Sequence, residues 1–209
     1  MNEQQQRLQT RFQRTEFLIS GNDLSHLPKG NHLEVAFAGR SNAGKSSALN
    51  VITSQAHLAR ISKTPGRTQL INIFKVNEQN FLVDLPGYGY AKVPEAMRNH
   101  WKIMLQSYFE KRENLRGLIM MMDVRHPLTP LDCQMLAWCD ARKLSTHILL
   151  TKADKLKRGP QMSALMQVKK HLAQEYNFDV SVQLFSSTSK DGLLEAWQKL
   201  DYWLKPSKV

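Results

Sequence analysis

Only two cysteines occur in the 209 residues, Cys133 and Cys139, six positions apart in a segment that reads as one helix. That spacing does not bring two Cβ atoms to disulfide distance, and two thiols are too few for a cysteine-held metal cluster. A disulfide scaffold is excluded, and reduced thiols fit a cytoplasmic protein. Long hydrophobic runs are missing too: no stretch approaches the ~20 apolar residues of a membrane-spanning helix. The polar start, with its Gln4–Gln6 run, lacks the apolar centre of a secretory leader. Acidic residues are scarce, 18 against 29 Lys and Arg, which leaves a net charge of +11. Residues 1–29 account for +1 of this, with Arg7, Arg11, Arg14 and Lys29 against Glu3, Glu16 and Asp23. The excess therefore belongs to the body of the chain, and a basic body attracts polyanions, of which RNA is the usual one in the cytosol. The seven histidines show no metal-ligand spacing, and His126 beside Pro127 reads as a turn residue.

What is present is an apolar core, 42% of the chain, enough for one domain. No internal repeat is visible. Residues 1 to about 29 read as a poorly ordered start and then a short patch of Phe17, Leu18 and Ile19 packing on the domain edge. Strand-like runs at Leu33–Ala38, Leu70–Val76, Phe81–Asp84, Leu118–Met122, His147–Leu150 and Val180–Phe185 alternate with helical periodicity. Asn77–Asn80 between the second and third run predicts an antiparallel hairpin. Thr129 and Pro130 read as an N-cap and first helical residue. One helix places Met97, Trp101, Met104, Leu105, Tyr108 and Phe109 on a face. A later one does so with Met162, Leu165, Met166, Leu172 and Tyr176. Met120–Met122 and the tryptophans 101, 138, 197 and 203 read as core or edge packing. The pattern predicts an α/β fold in three layers. Its sheet is six-stranded and mostly parallel, with one antiparallel strand and helices on both faces.

The chemistry gathers at strand ends. Gly39-Arg40-Ser41-Asn42-Ala43-Gly44-Lys45-Ser46 fits GxxxxGK[ST] between a strand and a helix. The two glycines permit close backbone approach, N–H groups and the helix dipole cradle phosphate, Lys45 reaches the β- and γ-phosphates, and Ser46 offers a hydroxyl to Mg²⁺. Asp84-Leu85-Pro86-Gly87 fits DxxG, with a carboxylate for the Mg²⁺ shell and a glycine N–H for a γ-phosphate oxygen. Thr151-Lys152-Ala153-Asp154 fits [NT]KxD, in which Asp154 accepts two hydrogen bonds from guanine and Lys152 lies over the purine face. Adenine would leave that carboxylate unpaired. Phe185-Ser186-Ser187 is placed to meet the base carbonyl through backbone N–H groups. Thr64 and Thr68, in the polar loop His57–Gln69, are both candidates to complete the Mg²⁺ shell. Lys152, Lys155, Lys157 and Arg158 form a basic patch beside the base pocket. Arg60, Lys63 and Arg67 are placed to make RNA affinity depend on the nucleotide.

Patterns in this order resemble the translation-factor class of GTPases. The stretch Lys63-Thr64-Pro65-Gly66-Arg67-Thr68-Gln69-Leu70-Ile71-Asn72 closely resembles the EngB (YihA/YsxC) family, as does Asp84-Leu85-Pro86-Gly87-Tyr88-Gly89-Tyr90-Ala91. Asp123-Val124-Arg125-His126-Pro127-Leu128 resembles that family's DxRHP segment. This family lies in the TrmE-Era-EngA-EngB-septin-like class of P-loop GTPases, and the likeness runs from about Glu16 to Leu204. It implies a Ras-like fold, with a GTPase domain over 30–209, and slow hydrolysis of GTP to GDP through Lys45, Thr68, Asp84 and Gly87. Ser46 and Thr68 are the implied Mg²⁺ ligands. Gly66, Arg67, Thr68, Gln69 and Leu70 form the first switch, and Asp84 to Gly87 open the second. The implied role is that of a cytoplasmic monomer in assembly of the large ribosomal subunit, touching rRNA or ribosomal proteins, and needed for cell division and septation. Two features depart from common GTPase patterns. Tyr88 stands where a water-orienting glutamine would follow DxxG, and Ser186-Ser187-Thr188 replaces the usual Ser-Ala. Asn42 resembles the asparagine of K⁺-activated relatives. A P-loop kinase and an RNA-binding module with a vestigial nucleotide site are the rival readings. The chain shows no acceptor-site insertion for the first, and Lys45, Ser46, Thr68 and Asp84 are intact against the second.

Overall fold

The computed structural model describes residues 2–59, 70–89 and 95–206, with side chains in the last range from residue 103 onward. Gly66–Gln69, together with Arg60, Lys63, Thr64, Tyr90 and Ala91, lie outside the described residues, as do the side chains of Met97 and Trp101.

Among the described residues seven strands form one sheet: β1 (Glu16–Gly21), β2 (Leu33–Gly39), β3 (Ile71–Asn77), β4 (Asn80–Asp84), β5 (Leu115–Asp123), β6 (Thr146–Thr151) and β7 (Val180–Leu184). Their spatial order is β1-β3-β4-β2-β5-β6-β7. β3 runs against both of its neighbours, and every other pairing is parallel. The one antiparallel strand is thus as expected, while the six-stranded count is corrected to seven. The added strand is β1, which carries Phe17, Leu18 and Ile19. Its pairing to β3 is interrupted by a bulge between Phe17 and Ile19. A bulge and a half-exposed apolar run hide strand alternation, which is why this segment does not read as a strand.

The α-helices among the described residues are α1 (Glu3–Gln13), α2 (Lys45–Ile52), α3 (Glu95–Lys111), α4 (Pro130–Ala141), α5 (Arg158–Glu175) and α6 (Leu193–Trp203). Strand side chains alternate between two cores. Ala36, Ala38, Met120, Met122, Ile148 and Leu150 pack with Leu105 and Tyr108 of α3, Leu136 of α4, and Val168 and Leu172 of α5. Val35, Phe37, Ile119, Met121 and Leu149 pack with α1, α2 and α6. On that second face Gly117 has no Cβ, and a methyl there would sit 2.5 Å from the Trp203 ring.

The segment expected as a poorly ordered start is instead α1. Asn2 and Gln5 close a capping box at its N-terminus. Leu8 and Phe12, four apart and therefore on one helical face, are buried against the second core. Arg11 pairs with Asp201 of α6, and its other nitrogen donates to the Asn80 side chain and the Leu204 carbonyl. The glutamine-rich composition masks this two-residue stripe. Of the residues expected on the inward face of α5, Leu172 is buried and Leu165 and Tyr176 pack against the first core, with Val168 added, while Met162 and Met166 are exposed. α4 begins as expected, with Thr129 as N-cap and Asp132 returning the capping box.

Candidate nucleotide site

All four sequence patterns sit along the carboxyl rim of the parallel strands, where ligands of α/β sheets collect. β2 ends at Gly39, β4 at Asp84, β5 at Asp123, β6 at Thr151 and β7 at Leu184. The phosphate loop turns between β2 and α2 with Asn42 at φ 65° and Gly44 at φ 89°. Gly44 is the N-cap of α2 and supplies no side-chain cap, so the helix N-terminus faces the loop's concavity. The Thr151 hydroxyl holds the loop from below, donating to the Ala43 carbonyl at 2.6 Å and lying 3.1 Å from the Met122 carbonyl.

A cleft of about 800 Å³ opens over this loop. Arg40, Ser41, Asn42, Gly44, Lys45, Ser46, Asp84, Leu85, Pro86, Gly87, Leu70 and Lys152 line it, so the structure brings the first, second and third patterns together. Lys45 pairs with Asp84, both side chains nearly buried. Ser41 donates its N–H to the Tyr88 carbonyl at 2.8 Å, which docks the DxxG segment on the phosphate loop. The Ser46 hydroxyl and Asp84 carboxylate are hard oxygen donors sharing the cleft. Such a sparse oxygen set suits Mg²⁺, which keeps waters and phosphate oxygens in its shell. Among the described residues no group of three His, Cys, Asp or Glu offers a different metal site.

Several lining residues were not foreseen: Phe17 and Ser20 of β1, Asn72 and Phe74 of β3, and His57 to Ala59. Ser20 donates to the Asn72 amide oxygen at 2.6 Å, and the Asn72 amide nitrogen lies 3.4 Å from Asp84. Asn72 and Asp84 face one another in the β3–β4 register. Asn72 closes the stretch carrying the family likeness, but only this register shows what it touches.

The base end lies at the tips of β6 and β7. The Ser186 hydroxyl donates to Asp154 at 2.6 Å. That bond, with Lys155 at 3.3 Å, holds the Asp154 carboxyl below its ordinary range. Lys152 reaches back to donate to the Asn42 carbonyl at 2.6 Å. Phe185 and Ser186 correct one expectation. The Phe185 N–H is spent on Leu150 at 2.9 Å and that of Ser186 on Asp191 at 3.1 Å. The Phe185 ring is buried in the second core. Neither N–H is therefore presented to a base, which leaves Ser187 of the three. Ala153 is likewise buried, its N–H bonded to the Phe185 carbonyl at 3.1 Å.

Comparison with known proteins agrees with this geometry. Residues 34–152 match the family model described as "50S ribosome-binding GTPase". The chain is 53% identical over 192 residues to the probable GTP-binding protein EngB of Shigella flexneri, covering 92% of this chain and 91% of that one. It is 55% identical to the protein of the same description from Hydrogenovibrio crunogenus, covering 93% and 91%. Among solved structures it is similar in fold to a probable GTP-binding protein EngB (TM-score 0.66, 18% identity, 82% of this chain and 98% of that). It also matches Aquifex aeolicus Era bound to GDP and AlF4⁻ (TM-score 0.65, 17% identity, 86% and 59%). With a phosphate loop, a DxxG turn and a carboxylate-bearing base end on one rim, and relatives above half identity over nine-tenths of its length, this chain belongs to the EngB family of P-loop GTPases.

Proposed function

We propose that this GTPase is a slow nucleotide switch that docks on the large ribosomal subunit during its assembly, and through that role supports cell division and septation. The observation that carries the reading is the placement of positive charge. Lys152, Lys155, Lys157 and Arg158 follow β6 directly, so a basic surface adjoins the base pocket in a chain of net charge +11. Arg60, Lys63 and Arg67 of the first switch extend it in sequence. Residues 30–209 form the GTPase domain in this reading, and the first 29 are an addition docked on its edge.

Within the site, the phosphate-loop N–H groups and Lys45 hold the β- and γ-phosphates, while Asp154 and the Ser187 N–H take the guanine edge. Ser46, Thr68 and Asp84 would hold Mg²⁺ directly or through water, and a bound ion would supply positive charge toward the phosphates. Gly87 and the residues 66–70 sense the γ-phosphate and relax when it leaves. Hydrolysis is slow because Tyr88, the residue after DxxG, is turned into the core and presents no amide to water. Asn42 is where a K⁺ ion would be held in this scheme, and it would supply positive charge there; equal turnover in Na⁺ and K⁺ removes it from the site.

Sedimentation with large ribosomal subunits tests the central claim. Binding is expected with a non-hydrolysable GTP analogue, weaker with GDP, and falling steeply between two salt levels, as phosphate contacts require. Equal co-sedimentation in both nucleotide states would refute the switch. The base end favours guanine over the ATP that a P-loop kinase would take, so ATP should compete poorly with labelled GTP.

A further inference from the structure

The segment that closes β5 has no part in the phosphate or base contacts described so far, although its Asp123-Val124-Arg125-His126-Pro127 sequence is distinctive. Its carboxylate is shared by two cations. Arg125 grips Asp123 through Nε at 2.9 Å and Nη2 at 2.7 Å, and its backbone N–H adds a bond at 3.1 Å. From the other side Lys152 Nζ lies 3.0 Å from Oδ2. That same ammonium is the one bonded to the Asn42 carbonyl at 2.6 Å. Two strand ends and the phosphate loop therefore meet at one lysine tip. The backbones are tied as well, Val124 N–H donating to the Thr151 carbonyl at 3.0 Å.

Lys152 sits at φ 59°, a region non-glycine residues seldom occupy. Its side chain therefore leaves the strand in an unusual direction, and contacts at its tip must hold it there. A free lysine loses rotamer freedom when it is pinned. If the pinning precedes ligand binding, that cost is not charged against affinity. Partial burial alone would raise the Asp123 carboxyl, but the bonds from Arg125 and Lys152 outweigh it and hold it well below the usual range. The anchor is thus ionised throughout the physiological range.

We propose that Asp123 is a positioning residue for the nucleotide base: its ion pair fixes the Lys152 ammonium on Asn42, so that the lysine stem stands ready as one wall of the purine slot, with Arg125 clamping the carboxylate. This rests on the guanine reading of the Asp154 end.

The test is a double-mutant cycle on the full chain, measuring equilibrium binding of radiolabelled GDP and, by competition, of inorganic tripolyphosphate, which has phosphates but no base. Asp123→Asn and Lys152→Met should each weaken GDP about 10-fold, and together scarcely more than Lys152→Met alone, the signature of one residue acting through the other. Tripolyphosphate affinity should stay within about 2-fold of the parent, since no base contact contributes to it. Asp123→Glu should recover part of the loss. Arg125→Gln, a variant at an exposed position, should weaken GDP about 3-fold and do nothing in the Lys152→Met background, which keeps the test open if Asp123→Asn folds poorly. Unchanged GDP affinity in Asp123→Asn, losses that multiply in the double variant, or equal losses for tripolyphosphate would each overturn the assignment. A parent chain that binds tripolyphosphate but shows no preference for GDP removes the guanine reading first. A parent that binds GDP with no coupling sinks only the role of Asp123.

Discussion

The Thr151 hydroxyl donates to the Ala43 carbonyl at 2.6 Å, joining the end of β6 to the phosphate loop across 108 residues of sequence. Thr151 is buried, and its oxygen also lies 3.1 Å from the Met122 carbonyl. Replacing it with the near-isosteric valine deprives the Ala43 carbonyl of this donor. Thr151→Val should lower unfolding stability by about 1–3 kcal/mol and weaken GDP and tripolyphosphate alike, since it loosens the loop and not the base pocket. Urea unfolding and equilibrium binding check both halves.

Asp154 shows how the base end combines charge with geometry. Its carboxyl lies below the ordinary range chiefly because Ser186 donates to it, with Lys155 contributing and slight desolvation acting the other way. The ionised form is the one that accepts two guanine N–H groups. The folded-state value is lowered, so the competent form persists as pH falls through the usual carboxylate range, and guanine affinity should hold down to about pH 5. Ser186→Ala removes the largest lowering contribution, so its affinity should begin to fall at a higher pH than the parent's. Asp154→Asn should cost GTP about 100-fold or more, the scale of a hydrogen-bonding site left mismatched, and gain xanthosine triphosphate. Competition binding across pH with both variants reads these outcomes.

At the opposite end of the sheet, Glu34 is fully buried and held by Arg112 at 2.5 and 2.9 Å, with His32 at 2.7 Å and Tyr108 at 3.3 Å. Burial alone would raise the Glu34 carboxyl, but the His32 and Arg112 bonds outweigh it, and the net shift is downward. A lowered folded value means that the stability it contributes is full above the unfolded value near 4.3 and is lost only as pH drops below it. Arg112→Met leaves the buried carboxylate without its guanidinium, with only His32 and Tyr108 beside it, a loss of about 3 kcal/mol at pH 7. In that variant the carboxyl moves upward and takes up a proton earlier, so the deficit should shrink between pH 7 and pH 5. Urea midpoints at the two values decide it: a deficit that stays constant would mean that the loss is one of packing and not of an uncompensated carboxylate.

How far the sequence reaches depends on whether a signal is local. The phosphate loop, the DxxG turn and the Thr151–Asp154 segment were legible because each needs its residue types at fixed spacing after a strand. Thr129 and Asp132 were legible as a helix start for the same reason. α1 was not, because Leu8 and Phe12 are its only buried residues among glutamines. The inward face of α5 was legible only in part: Leu165, Leu172 and Tyr176 pack inward as read, but the apolar residues spread around the helix, so Met162 and Met166 turn outward and Val168 was missed. Asn72 and Ser20 join the site through cross-strand register, which no single segment encodes. Which backbone N–H groups at Phe185–Ser187 are already spent likewise depends on β6 and on Asp191, distant or out of pattern in the chain.

Tyr88 stands where a glutamine would orient water, yet its side chain points away from that task. It is buried in the first core, and its hydroxyl donates to Asp132 at 3.0 Å. Asp132 in turn accepts from the Thr129 N–H at 3.0 Å and hydroxyl at 2.7 Å, so the phenol belongs to the cap of α4. Burial first, then the Asp132 charge, pushes that hydroxyl well above the ordinary tyrosine value, which keeps it a neutral donor. What Tyr88 gives the nucleotide side is its carbonyl, which accepts from the Ser41 N–H at 2.8 Å and hydroxyl at 3.1 Å. Tyr88→Phe keeps that backbone contact and the ring, and loses the hydroxyl's bond to Asp132. It should therefore cost about 1–2 kcal/mol of stability while single-turnover GTP hydrolysis stays within about 2-fold of the parent. Tyr88→Gln should not speed hydrolysis, because an amide placed in this apolar pocket is far from water and costly to bury. A fall of more than about 10-fold in the hydrolysis rate of the folded Phe variant, about 1.4 kcal/mol of barrier, would place the phenol at the reacting phosphate.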